Sequence, residues 1–382
     1  MTASPSPEYL RCMRYWVVNA ARLSAVLLLL LSSSAALPQN PVLKTRPKED
    51  PEERFNASRR ITINVQVTDA AGNPVSNLHP EDFSLYDNRQ PRRIVAFHSI
   101  DGAALSDATD VLILLDAVNT PQPALEKERS AIFRYLAESK KPLPFQTAFA
   151  LWFNGHLSAT PATTDRNEIG RAFVKLTKNV HSNACGTKER QQNVSAGKDA
   201  ASVSPATCRA VHFKDSVAAL VGIAQQQAAT GGRTLLIWMG SGWPVLPDAE
   251  LQRLDPQQRD AYAREFAEIL RDLRAGQMTV YSIAPGDGSS TEKIASSHAA
   301  PTFPRIAIDE FAQRTGGRVL SKSEDLVEDL HACIRDAEWY YSLAFNAPPA
   351  QNGPGEMHSL EMKVNRPGLE VRTMNSYYSE PR

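Results

Sequence analysis

The 382-residue chain has no excess of either charge, since 42 Lys and Arg face 42 Asp and Glu. A general affinity for nucleic acid or for an anionic membrane surface needs a basic excess, so neither partner is expected. No run after residue 37 approaches the hydrophobicity of a bilayer span, so the rest of the chain is expected to be soluble. His156, His181 and His212 show no metal-binding spacing of the His-x-x-x-His kind and read as solvated or structural histidines. Gly286-Asp287-Gly288 lacks the lysine of a phosphate-binding loop. No internal repeat stands out. Cysteine is scarce: Cys12, Cys185, Cys208 and Cys333 are all there is. Cys333 falls on a helical pattern and reads as a small buried hydrophobe.

What the chain does have begins at its N-terminus. Arg11, Arg14 and Arg22 precede the apolar run Leu23 to Leu31, and Ser32 to Ala36 supply small residues before Leu37-Pro38. A basic region, an apolar core and a small-residue exit make a secretory signal peptide over 1–36, with Ser34 and Ala36 satisfying the cleavage rule. An uncleaved anchor is the other reading, but a helical span needs about 20 apolar residues and Arg22 cuts this run short. Export to the periplasm, the cell envelope or the medium follows, with no stable membrane span after cleavage. Residues 37–59 form a linker rich in Pro and charge. Asn56-Ala57-Ser58 and Asn193-Val194-Ser195 match the short glycosylation sequon.

A β segment over 60–100 comes next. Ile61 to Val67 alternates apolar and polar residues, a half-buried strand, and strands at 83–86 and 94–97 follow. The texture changes at Val111-Leu112-Ile113-Leu114-Leu115, a continuous apolar run that suits a central parallel strand covered on both faces. From there strands at 147–153, 234–239, 278–283 and 318–321 alternate with helical patterns at 124–138, 167–176, 211–224, 262–273, 306–314 and 324–336. This predicts an α/β domain over 108–336, a doubly wound and mainly parallel sheet of Rossmann type. A polar insertion at 180–210 carries Cys185 and Cys208, either a disulfide in an oxidising compartment or two unrelated thiols. Residues 338–378 return to β pattern, and the two flanking β segments are expected to pack together into a small β unit.

Several of these stretches resemble one family. Val67-Thr68-Asp69 to Gly72 with Pro74-Val75, Glu81-Asp82-Phe83 with Tyr86-Asp87, Leu114-Leu115-Asp116 with Asn119-Thr120, and Thr315-Gly316-Gly317 carry the likeness. So do Tyr340 to Leu343, Asn365 to Leu369, and Val371-Arg372. In this order they resemble von Willebrand factor A-related proteins of the exported acidobacterial type, over roughly residues 60–378. The resemblance implies a crevice at the carboxyl ends of the strands that holds a divalent cation such as Mg²⁺, bridging to an acidic group of a partner. A hard cation of this kind takes about six oxygen ligands. The family's Asp-x-Ser-x-Ser loop reads here Asp116-Ala117-Val118-Asn119-Thr120. Asp116 and Thr120 keep their oxygens, and Val118 has none. The second-loop threonine aligns with Val211, with Thr207 close by. The later aspartate is replaced by Gly240-Ser241-Gly242, where Ser241 offers a third oxygen. The alternative is that Asp116 and Thr120 cap the next helix or brace the loop.

Three roles follow as expectations. The first is a non-enzymatic binding or adhesion module for a protein or cell-surface polymer, with Asn119, Gly240, Gly242 and Trp243 on its face. The second is a structural or assembly protein of the envelope. The third, an α/β-hydrolase-like enzyme on Ser241, is the weakest. A nucleophile elbow leads directly into a helix, whereas Trp243-Pro244 here opens a loop. Trp152, Trp238 and Trp243 read as core or rim residues.

Overall fold

The computed structural model describes residues 59–102, 109–185, 205–243, 255–285, 308–350 and 355–379. The signal peptide, nearly all of the linker, both sequons, Gly286-Asp287-Gly288 and most of the 180–210 insertion lie outside the described residues. The described segments belong to a single unit, Pro51–Arg382.

The first four strands are β1 (Arg60–Thr68), β2 (Phe83–Asp87), β3 (Gln90–Arg92) and β4 (Ile94–Asp101). The last four are β11 (Trp339–Asn346), β12 (Met357–Val364), β13 (Glu370–Thr373) and β14 (Ser376–Tyr378). They form two four-stranded sheets, ordered β13-β1-β11-β4 and β14-β12-β2-β3. The centre of the first is β1 against β11, antiparallel, with Ile63 opposite Leu343. Alternation in β1 sends Ile61, Ile63, Val65 and Val67 to one side, where they meet Phe83, Leu85 and Leu360 of the second sheet in a shared core. Residues from both ends of the sequence thus build one β-sandwich.

Between them runs a six-stranded sheet, ordered β10-β9-β8-β5-β6-β7. Its members are β5 (Thr109–Asp116), β6 (Gln146–Phe153), β7 (His156–Ala159), β8 (Arg233–Met239), β9 (Met278–Pro285) and β10 (Val319–Ser323). All its pairings are parallel except β6 with the edge strand β7. The helices are α1 (Gln122–Ala137), α2 (Arg166–Thr177), α3 (Pro205–Thr230), α4 (Pro256–Ala275), α5 (Ile308–Thr315) and α6 (Leu326–Arg335). Val111, Ile113 and Leu115 of β5 pack with residues of α1, α2 and α6, while Leu114 packs with α3, α4 and α5. Both faces are covered, which is why β5 and β8 read as unbroken apolar runs. The fold is mixed α/β, with a mostly parallel sheet and two added antiparallel sheets.

The sandwich seats at the amino end of the parallel strands. Asp336, just beyond α6, takes two hydrogen bonds from Arg318 and two from Arg372 of β13. Arg233, the first residue of β8, donates to the Asp336 carbonyl at 3.1 Å and lies over the Tyr340 ring at 4.0 Å. Gly316, at φ +84°, passes so near the Thr373 backbone that a Cβ would stand 2.5 Å from its carbonyl carbon. No other residue suits both that dihedral and that approach. A second buried cluster holds the sandwich itself: Asp87 accepts from Tyr377 Oη at 2.9 Å and sits 2.8 Å from His358 Nδ1, joining β2, β12 and β14.

Candidate functional site

In an open α/β sheet the chain leaves neighbouring strands toward opposite faces at one point, and the parting loops open a crevice there. Here that point lies between β5 and β8. The chain leaves β5 through α1 on one face and β8 through α4 on the other. The residues ending these strands, Asp116 and Met239, are followed by the 117–120 and 240–243 loops.

Asp116 is fully buried. Its Oδ1 accepts from the backbone N–H groups of Val118 and Asn119, both at 3.0 Å. Its Oδ2 accepts from Asn119 Nδ2 at 2.8 Å and from Trp238 Nε1 at 3.0 Å. Asn119 Nδ2 also donates to Ser216 Oγ of α3 at 2.9 Å. Thr120, buried too, accepts at Oγ1 from the Ser241 N–H at 3.1 Å, and its carbonyl accepts from Ser182 Oγ at 2.6 Å. Gly240 lets the two loops touch: a Cβ there would stand 2.9 Å from both Asp116 Cβ and Thr120 Oγ1. Burial pushes the Asp116 carboxyl above its ordinary 3.8, against the pull of its hydrogen bonds.

This donor set does not fit a hard divalent cation. A carboxylate has about four lone-pair directions, and four N–H donors occupy those of Asp116. Val118 presents no oxygen. Ser241 Oγ and Asn119 Oδ1 are buried without a protein partner, but both are neutral and bring none of the charge that offsets dehydration of Mg²⁺ or Ca²⁺. Asp116, Thr120 and Ser241, expected as metal ligands, are thus gathered in one place, but the Asp116 carboxylate is engaged by N–H donors and Thr120 Oγ1 by the Ser241 N–H. Asp116 braces its own loop; it does not cap α1, whose N-cap is Pro121 with no side-chain bond. Millimolar Mg²⁺, Mn²⁺ or Ca²⁺ should therefore leave the melting temperature where EDTA leaves it. A ligand at a hundredfold excess over its Kd would stabilise by about 2.7 kcal/mol, so a clear rise that vanishes in Asp116→Ala would show the reading of this site to be wrong.

Two further expectations need correcting. Val211 and Thr207 do not enter the site. Both are exposed, Val211 at 49%, and the α3 residue that reaches the Asp116 loop is Ser216. Of the expected binding-face residues, Gly240 is buried, and Trp243 is buried with its ring 5.3 Å from Trp238 and 5.8 Å from Phe311. Asn119 is held by Asp116 and Ser216, and Gly242 is half-buried at φ +87°. Exposed among the described residues are Asn154 and His156 in the β6–β7 hairpin, His181, whose ring lies 5.2 Å from that of Phe153 at the end of β6, and Val211 on α3.

The insertion is tied to this wall. Ser182 N–H donates to Gln122 Oε1, and Asn183 N–H to the Ala117 carbonyl. Cys185 and Cys208 are joined as a disulfide, Cα atoms 6.0 Å apart. His212, read as a solvated or structural histidine, lies buried beside it, Nδ1 3.3 Å from Cys185 Sγ. Among the described residues Ser241 Oγ has no hydrogen-bonded base of the kind that activates a serine nucleophile. Ser216, Ser182 and Trp238 are the site residues sequence reasoning missed. Ser216 left a trace, since Cys208, His212 and Ser216 recur every fourth residue on one helix face.

No protein-family model matches the chain, and no curated protein matches it. Among solved structures, the human COPII-coat protein Sec24c is similar at a TM-score of 0.31 and 8% identity, over 72% of this chain. The chain spans 44% of that structure's length.

Proposed function

We propose that the chain is an exported, non-enzymatic binding module of the von Willebrand A-related kind, which engages a protein or cell-surface polymer without a metal. The observation that carries this reading is the closed hydrogen-bonded cluster around Asp116, which ties the described crevice loops to each other and engages the carboxylate fully. The seat of the sandwich at the amino end of the strands supports it too, because among the described residues the sandwich does not cover the crevice end. Contact is made through the exposed residues Asn154, His156, His181 and Val211.

The test places a photo-crosslinking residue at His156, His181 or Val211 of the full chain in the producing cell. One discrete, saturable adduct is expected from these positions and not from Arg89, an exposed residue in the β2–β3 turn. Equal labelling from all four, with broad incorporation into insoluble envelope, would favour a structural role. Turnover of a generic ester, peptide or phosphate would overturn the non-enzymatic reading.

A further inference from the structure

We propose that Cys185, Cys208 and His212 form a redox-gated site for a thiophilic divalent cation of the Zn²⁺ class, closed while the disulfide stands and opened by its reduction. One ligand atom from each of the three residues lies within 4.8 Å of the others. Cys208 and His212 are four apart on α3 and share one face of it. Cys185 is delivered by a pinned segment: Ser182 Oγ bonds the Thr120 carbonyl and accepts from the Ala184 N–H, and Asn183 N–H bonds the Ala117 carbonyl. The three donors thus come from two elements already fixed against the crevice wall.

The chemistry selects the ion. Two thiolates and an imidazole are soft and borderline ligands that suit Zn²⁺ and reject Mg²⁺ and Ca²⁺. Two thiolates also neutralise a dication, which matters where Cys208 and His212 are buried. Cys185 is half-exposed, so water or a donor from a partner can complete the fourth tetrahedral position. Gating follows because one pair of sulfurs serves both states. An external dithiol attacks the Cys185–Cys208 bond through a mixed disulfide. That bond breaks, the dithiol is oxidised to its own disulfide, and two electrons with two protons pass to the chain as two thiols. Zn²⁺ then displaces both thiol protons to solvent. The sulfurs part to roughly 3.8 Å, the edge of a tetrahedron with 2.3 Å bonds.

The experiment uses the chain as isolated, oxidised or reduced with a dithiol and desalted without oxygen. Zn²⁺ alone is titrated against a chromogenic chelator, and Co²⁺ serves as a spectroscopic probe. One Zn²⁺ per reduced chain is expected, none per oxidised chain, and thiolate-to-Co²⁺ charge transfer in the reduced chain only. Cys208→Ser and His212→Gln should each weaken binding by more than about tenfold. Circular dichroism of each variant checks that the fold stands. The proposal fails if the reduced wild type takes no more Zn²⁺ than the Cys185→Ser/Cys208→Ser double variant, which keeps Cys333. It also fails if His212→Gln binds like wild type, or if reduction unfolds the chain and Zn²⁺ does not restore it.

Discussion

Replacing Asp336 with alanine is expected to lower the stability of the chain by about 3–5 kcal/mol, the cost of stranding buried charge when one partner of an ion pair is removed. The Asp336 side chain is 1% exposed and receives four guanidinium N–H bonds, those from Arg372 both at 2.6 Å. Without it Arg318 and Arg372 face each other with no intervening negative charge. Arg233 keeps its bond to the Asp336 carbonyl but shares the same positive field. The damage falls at the seam, because Arg372 belongs to the sandwich and Arg318 leads into β10 of the parallel sheet. The same substitution in an Arg372→Ala background should cost less, since one of the stranded cations has gone.

The effect carries a pH signature. Burial pushes the Asp336 carboxyl upward, but the hydrogen bonds and charges of Arg372 and Arg318 outweigh it and hold the group below its ordinary 3.8. A depressed folded value means the unfolded chain binds the proton first as pH falls. The contribution is therefore whole above about pH 5 and drains away as pH drops past the unfolded value and through the folded one. Urea unfolding of wild type and Asp336→Ala should show a wide gap at pH 7 that narrows near pH 3. An equal gap at both would mean that the aspartate acts by shape and not by charge.

Much of this fold is written locally, and the exceptions have physical causes. β1 is legible because one face meets the sandwich core and the other does not, and β5 and β8 because both faces are covered. The start of α3 is not legible from apolar periodicity. Its inward residues there are Cys208, His212 and Ser216, which bond sideways into the crevice wall, so the apolar pattern begins only at Phe213. β7 is only four residues long and mostly exposed, yet the Asn154-Gly155 turn before it, with φ of 51° and 71°, is a standard hairpin signal. At the site, the end of an apolar strand marks Asp116 as a crevice residue. Its bond to Trp238 spans 122 positions and leaves no local pattern. The same distance hides the mismatch with a metal site: spacing shows which oxygens exist, but not that N–H groups already fill them.

Asp116→Ala should cost about 3–5 kcal/mol in the absence of any metal, because it strands several buried donors together. Trp238 Nε1, Asn119 Nδ2 and the N–H groups of Val118 and Asn119 all aim at this carboxylate. An unsatisfied buried donor costs about 1–3 kcal/mol, and relaxation of the half-buried Asn119 returns part of the sum. Asp116→Asn tests the acceptor character directly. It keeps the volume but turns an NH₂ toward one of the two donor pairs, so it should recover little of the loss. Trp238→Phe removes one donor and should cost less than Asp116→Ala, since the carboxylate keeps its three other bonds. Because an aromatic side chain at 238 still packs on Trp243, most of the apolar burial survives that change. Denaturant unfolding in EDTA, followed by near-ultraviolet circular dichroism of the tryptophan cluster, reads all three. If Asp116→Ala matches wild-type stability in EDTA, the aspartate is not the brace of this crevice. If it instead loses stability only in added Mg²⁺, it is a ligand after all, and adhesion through a bridging cation would replace metal-free contact as the working mechanism.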